Sequence, residues 1–400
     1  MLIITAPGQG AQAPGFLAPW LEVPGIAEWL GDASELAGRD LIQYGTTAGA
    51  DEIKDTAIAQ PLLVAAALAA AGALAGGGPG DVHADVAAGH SVGELAAGVL
   101  AGVLSADDAM RLVSVRGAAM AAASAAEPTG MTAVLGGDEE TVLAAIARHG
   151  LTPANVNGAG QIVAAGAIAD LEAFAADPPT GARLRPLPVA GAFHTRFMAP
   201  AVAALRDIAA GVAVTDPHLM LLGNADGAAV TTGKEWLERI VAQVAAPVRW
   251  DLCMRTMADL GVTAIIELPP AGTLVGLARR ALPGVAQLAL KTPDQLDAAR
   301  DLIGEHLAEP DGHGHGHLPE WRLIVAPTSG TFRSPDGRAD AAATGAVIAL
   351  TADLGSVVAR GGERPLVAPW PAEIIEWLVE DGDPVSEGQP LVRVHPEEGA

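Results

Sequence analysis

The sequence predicts an α/β fold: a parallel-sheet core with helices on both faces, a small inserted subdomain, and a separate all-β unit at the C-terminus. Three observations predict it. Short apolar runs alternate with helical patterns over residues 1–126 and again over 193–307. Residues 127–192 change to a compact βαβαβ series, the size of a ferredoxin-like insert. Residues 308–319, rich in Gly, Pro and His, read as a linker to a last unit over 320–400. With 400 residues, half of them hydrophobic, the chain can bury a large core and a smaller one.

The elements follow in order. Leu2–Thr5 reads as a strand running into a glycine loop. Ile58–Ala75 reads as a helix, with Pro61 placed in its first turn. Its apolar run, Leu62 to Ala75, is too short to span a bilayer and suits a buried helix. Val82–Ala88 is a buried strand, followed by a sharp turn and a helix from Glu94. Ser105 opens a further helix, with Asp107 and Asp108 where they favour the helix dipole. Within the insert, strands are expected at Met131–Leu135, Gln161–Ala165 and Ala182–Pro188, and helices at Glu139–His149 and Ile168–Ala176. Val262–Leu268 is a buried strand of the core.

The net charge of −24 argues against nucleic acid or an anionic membrane as partner. A local Arg-rich patch still leaves room for an acidic partner protein. A single cysteine, Cys253, rules out an internal disulfide framework, fits a cytoplasmic setting, and reads as a small core residue. No signal peptide is expected at the N-terminus. His313, His315 and His317 alternate in the linker, without a Cys or carboxylate partner; a solvated tether is the expectation, and no metal site is assigned.

The chemistry centres on Gly89-His90-Ser91-Val92-Gly93, a G-x-S-x-G turn between an apolar strand and an Ala-rich helix. Such a turn needs small flanking residues so that a strained backbone can expose the hydroxyl. The alternative is an ordinary Gly-rich turn that happens to hold a serine. A serine needs a base, and His194, in Gly191-Ala192-Phe193-His194, is the best placed by context; a structural histidine is the competing reading. His90 is adjacent to the nucleophile and points elsewhere in such turns. An oxyanion hole needs two backbone donors. The N–H of Val92 is one. The loop Pro7-Gly8-Gln9-Gly10 can supply the N–H of Gln9 as the other, and no dinucleotide or phosphate-loop fingerprint competes with it. Arg116 is a lone charge in a small, apolar helical stretch. If it points inward, it predicts a substrate with a free carboxylate; if it snorkels outward, it is surface.

With these residues assembled, the chain resembles the malonyl-CoA:acyl-carrier-protein transacylases of fatty-acid synthesis and the acyltransferase domains of polyketide synthases. The similarity runs over roughly residues 1–305. It is carried by Pro7–Gln12, Gly89–Glu94, Val115-Arg116-Gly117, Asn155-Val156-Asn157 with Gln161, Gly191–His194, and Gln243 with Pro247–Trp250. The resemblance implies an α/β-hydrolase-like subdomain (1–126 and 193–307), a ferredoxin-like subdomain (127–192), and a site between them. It implies Ser91 as nucleophile, His194 as general base, the amides of Gln9 and Val92 as oxyanion hole, and Arg116 as the malonyl carboxylate clamp. It also implies that a main-chain carbonyl near Gln243 orients the histidine, with no acidic third member, no metal and no cofactor. Malonyl-CoA and acyl carrier protein are the implied partners. The departures are Ala11, Ala159 and Glu267-Leu268-Pro269-Pro270, which bear on loop shape. Two further enzymes stand as alternatives, a stand-alone polyketide acyltransferase and an acyl-carrier editing hydrolase. The non-enzyme alternative is an inactive scaffold acting through its C-terminal unit.

Residues 320–400 resemble a biotinyl/lipoyl carrier domain. The match is carried by Ala368-Pro369 and the run Ile374–Leu391; the half from Ala326-Pro327 is degenerate. No lysine follows Lys291, so the usual amide-linked cofactor has no attachment point near Ala352–Arg360. The expectation is a docking or assembly unit for other fatty-acid synthesis enzymes, without biotin or lipoate; an evolutionary remnant or a different small β fold is the alternative.

Overall fold

The structure, a computed structural model, describes residues 1–189, 191–307, 322–335, 346–349, 352–359, 361–368, 371–386 and 388–396. The chain divides into two compact units, Met1–Glu309 and Pro310–Ala400.

The first unit is built on a six-stranded sheet in the order Ala286–Ala289, Ala264–Glu267, Leu2–Ala6, Val86–Gly89, Met220–Leu222, Ala229–Val230. The first five strands are parallel and the last is antiparallel. Leu2–Ala6 lies inside the sheet and is buried at every position, which is why its sequence is a continuous apolar run broken only by Thr5. Pairing with Val86–Gly89 begins at Ile3 opposite Val86, so the strand expected from Val82 starts four residues later. Pro79–Asp81 forms a short 3₁₀ turn before it.

The helix Thr56–Ala75 is long and apolar enough to cross a membrane, but nearly all of it is buried in the core. Its N-cap is Asp55, whose carboxylate accepts the N–H of Ala57 at 2.8 Å. The helix therefore begins before Ile58, and Pro61 lies inside it rather than in its first turn. The helix Ala106–Ala126 is capped by Ser105, which accepts the N–H of Asp108 at 3.0 Å.

A second sheet has five strands in the order Ala182–Pro186, Thr129–Gly136, Gln161–Ala167, Thr152–Gly158, Val248–Arg249. The helices Glu139–Arg148 and Ile168–Ala176 accompany it, with Ile146 and Phe174 fully buried in its core. Two strands are additions to the sequence reading. Thr152–Gly158 carries a proline, two asparagines and register shifts at Pro153/Asn155 and Val156/Gly158, so no alternating pattern marks it. Val248–Arg249 comes from beyond residue 192 and pairs in parallel with Asn155-Val156. This sheet is therefore completed by the core chain rather than closing within the insert.

Among the described residues, the second unit has two four-stranded antiparallel sheets. One is ordered Arg322–Val325, Pro390–Pro396, Ala372–Trp377, Val347–Ile348; the other Gly362–Val367, Asp353–Ala359, Gly330–Arg333, Pro384–Val385. Phe332, Val357, Ile374, Leu391 and Val392 form its core. The linker, with His313, His315 and His317, lies outside the described residues.

Candidate active site

The strand Val86–Gly89 ends at the centre of the first sheet, and the chain turns at His90-Ser91-Val92 into the helix Gly93–Leu100. Ser91 holds φ of 53°, a left-handed conformation that serine adopts only under constraint. The constraint is steric. A Cβ on Gly93 would lie 2.2 Å from the carbonyl oxygen of Ala6, and one on Gly89 would lie 2.0 Å from the carbonyl carbon of Gly93. Only glycine lets the strand end, the turn and the neighbouring strand approach this closely. Asn224 splints the turn: its Oδ1 accepts the Ser91 N–H at 2.7 Å, and its Nδ2 donates to the Gly89 carbonyl at 2.8 Å.

His194 meets the serine from the other side. Its Nε2 lies 2.7 Å from Ser91 Oγ and its Nδ1 lies 2.8 Å from the main-chain oxygen of Gln243. A carbonyl oxygen only accepts, so the ring proton sits on Nδ1 and Nε2 is free to accept from the hydroxyl. The backbone holds the ring there, with φ of 60° at His194 and its N–H donating to Val244 at 3.1 Å. Burial, together with the nearby Arg116 charge, depresses the imidazole pKa to about 3. The ring is neutral throughout the physiological range, in the state a general base requires.

Arg116 points inward; its side chain is 1 % exposed. Nη1 donates to Gln60 Oε1 at 2.7 Å, and Nη2 donates to Gln243 Oε1 at 2.8 Å and to Ser91 Oγ at 3.3 Å. Burial lowers its pKa to about 10, opposed by Glu94, and the guanidinium stays charged at neutral pH. A cation thus sits beside the Ser91 hydroxyl in a buried setting.

The remaining residues singled out in the sequence surround this centre. Val92 follows Ser91 at the start of the helix. Gln9, with Gly8 and Gly10, lines a cavity of about 280 Å³ whose walls also include His90, Ser91, Asn155 and His194. The loop approaches the turn closely, since a Cβ on Gly8 would lie 2.8 Å from the His90 carbonyl oxygen. His90 itself is engaged elsewhere: its Nε2 lies 2.9 Å from Asn157 Oδ1 and its ring packs edge-on against Trp250. Cys253 is buried, and burial raises its thiol pKa, so it is inert at neutral pH. Glu267, in the divergent Glu-Leu-Pro-Pro segment, accepts the N–H groups of Gly272, Leu274 and Val275 and so caps the helix Thr273–Ala281. Among the described residues, no cluster of three or more His, Cys, Asp or Glu could hold a metal.

Three residues of the site have no role in the sequence reading: Gln60, Asn224, and Glu94, which enters it only as the end of the Gly89–Glu94 motif and the start of a helix. Gln60 and Glu94 are each a lone polar residue in an apolar helical run, a signal that was available. Asn224 carried no such signal. Together the site offers a buried serine held in a left-handed turn, a neutral imidazole placed to take its proton, and a buried cation beside the serine oxygen.

Residues 24–293 match the model of the acyl transferase domain. The chain is 52% identical over 302 residues to the malonyl CoA-acyl carrier protein transacylase of Mycobacterium tuberculosis, covering 76% of this chain and 100% of that protein. It is 34% identical over 303 residues to the protein of that name from Escherichia coli K12, covering 74% and 97%. Among solved structures, MCAT from M. tuberculosis aligns with a TM-score of 0.71 at 51% identity, covering 75% of this chain and 99% of that one. A type II PKS acyl-carrier protein in complex with its malonyl-transacylase aligns at 0.70 with 28% identity, covering 75% and 99%. The chain belongs to the acyl transferase domain family and, within it, to the malonyl CoA-acyl carrier protein transacylases.

Proposed function

We propose that the chain transfers a malonyl group from coenzyme A to the phosphopantetheine thiol of acyl carrier protein, in fatty-acid synthesis, through a malonyl ester on Ser91. The observation that carries this is the meeting of two groups at one oxygen: His194 Nε2 at 2.7 Å and Arg116 Nη2 at 3.3 Å from Ser91 Oγ. As Oγ attacks the thioester carbonyl, its proton passes to His194 Nε2. The amides of Gln9 and Val92 take the developing oxyanion. Collapse breaks the C–S bond, and the imidazolium returns its proton to the departing coenzyme A thiolate. The carrier thiol then gives its proton to His194, attacks the malonyl ester, and Ser91 Oγ leaves and is reprotonated. The Gln243 carbonyl steadies the imidazolium in place of a carboxylate. Arg116 forks onto the malonyl carboxylate, which a plain esterase would have no use for.

The compartment proposed is the cytoplasm, on the single, buried, unpaired Cys253. For the second unit, the two four-stranded sheets support a biotinyl/lipoyl-like arrangement. The antiparallel pair Asp353–Ala359 and Gly362–Val367 lies in a stretch of sequence without lysine, which supports docking rather than cofactor carriage. Biotin or lipoate found on the purified protein would refute that part. For the enzyme, malonyl transfer from labelled malonyl-CoA to holo-acyl carrier protein should be lost in Ser91→Ala. Retained transfer in that variant ends the proposal.

A further inference from the structure

Glu94 occupies the first turn of the helix Gly93–Leu100, is 4 % exposed, and touches none of the atoms that react. Its two oxygens are nonetheless committed within the site. Oε1 accepts the N–H of Asn224 at 2.7 Å, and Oε2 accepts a short hydrogen bond from Gln243 Nε2. That amide nitrogen also faces Ser91 O at 3.2 Å and Asn224 Oδ1 at 3.4 Å, so three acceptors surround it. A primary amide with its nitrogen so placed has one orientation left for its oxygen, and Gln243 Oε1 accepts from Arg116 Nη2. One carboxyl therefore holds Asn224, which splints the nucleophile turn, and Gln243, which holds the guanidinium.

We propose that Glu94 is a positioning residue that fixes the Gln243 amide and, through it, the aim of Arg116 at an acyl group bearing a carboxylate. The inference rests on the reading of Arg116 as the carboxylate clamp. Burial pushes the Glu94 pKa up to about 8, opposed first by the hydrogen bond from the Asn224 N–H and then by the Arg116 and Arg239 charges; because both of its oxygens accept from N–H donors, the hydrogen-bonded form is the carboxylate. The Asn224 N–H and the Arg116 cation, across the Gln243 amide, together offset the burial of this acid.

The test is the ratio of kcat/KM for malonyl-CoA to that for acetyl-CoA, with holo-acyl carrier protein as acceptor, in wild type, Glu94→Gln, Arg116→Ala and the double variant. In Glu94→Gln only one acceptor remains for two donors; the main-chain N–H of Asn224 cannot turn, so the retained oxygen stays on it and the new N–H₂ faces the Gln243 N–H₂. Gln243 must turn, and its nitrogen then faces the guanidinium. The malonyl-to-acetyl ratio should fall about tenfold or more, the loss of one charge-assisted hydrogen bond. Arg116→Ala should lower the ratio too, and Glu94→Gln should lower it no further in that background. If Arg116→Ala lowers the ratio while Glu94→Gln reduces both substrates by one factor, the inference fails and the clamp stands. If Arg116→Ala leaves the ratio unchanged, the clamp itself fails. Should Glu94→Gln not fold, Gln243→Met removes the oriented amide instead; an unchanged ratio there overturns the inference equally.

Discussion

If Arg116 is the carboxylate clamp proposed above, Arg116→Ala should separate recognition of the acyl group from the chemistry at the serine. In the free site the guanidinium makes three hydrogen bonds, to Gln60, Gln243 and, at 3.3 Å, Ser91 Oγ. An arriving carboxylate can displace only the long bond to the hydroxyl; the two shorter ones brace the fork. The net gain is one or two charge-assisted hydrogen bonds at roughly 1.5–3 kcal/mol each. Their loss corresponds to a fall of about 10–10⁴-fold in kcat/KM for malonyl-CoA, with about 10²-fold the central expectation. Acetyl-CoA has no carboxylate and should lose far less. The truncation also strands two buried amide oxygens, Gln60 Oε1 and Gln243 Oε1, at a cost of about 1–3 kcal/mol each. Thermal unfolding must therefore accompany the kinetics. The assay is single-turnover acylation of Ser91 by each thioester, followed by intact-protein mass. An unchanged malonyl-to-acetyl preference in folded Arg116→Ala refutes the argument.

Two other predictions concern the base and the turn. Because burial holds the His194 pKa near 3, the ring stays neutral as pH falls through the ordinary histidine range. The acylation rate should therefore show no inflection near pH 6.5, and an inflection there in a single-turnover pH profile would contradict the buried-base reading. Gly93→Ala should force apart the turn and the end of Leu2–Ala6, since its Cβ would lie 2.2 Å from Ala6 O and 2.9 Å from Pro7 O, both main-chain atoms. Acylation should fall by about 10²-fold or more, as expected for a reacting group displaced by an ångström, and unimpaired acylation would show that the turn tolerates the shift.

The parts of the fold written into one continuous stretch were legible. Leu2–Ala6 is an unbroken buried strand, and Ile168–Ala176 shows its helical period directly. What could not be read depended on distant partners. Val248–Arg249 is a two-residue strand defined only by Asn155-Val156, almost a hundred positions earlier. Thr152–Gly158 is irregular because its bulges accommodate the asparagines that face the cleft. The apolar pattern that begins at Ile58 places Pro61 in a first turn, whereas the cap that starts the helix is Asp55. In the site, Ser91, His194 and Arg116 stand out as reactive or charged groups among small residues. Glu94 and Gln60 stand out by the same rule and mark polar contacts in the core. Asn224 acts through three hydrogen bonds to segments over a hundred residues away, and nothing local to it announces them.

The most direct test is the mass of the intact protein after brief mixing with malonyl-CoA, with the modified peptide sequenced. One malonyl group on Ser91, discharged on adding holo-acyl carrier protein and absent from Ser91→Ala, is the predicted result. No adduct, or an adduct that persists in Ser91→Ala, would contradict the account.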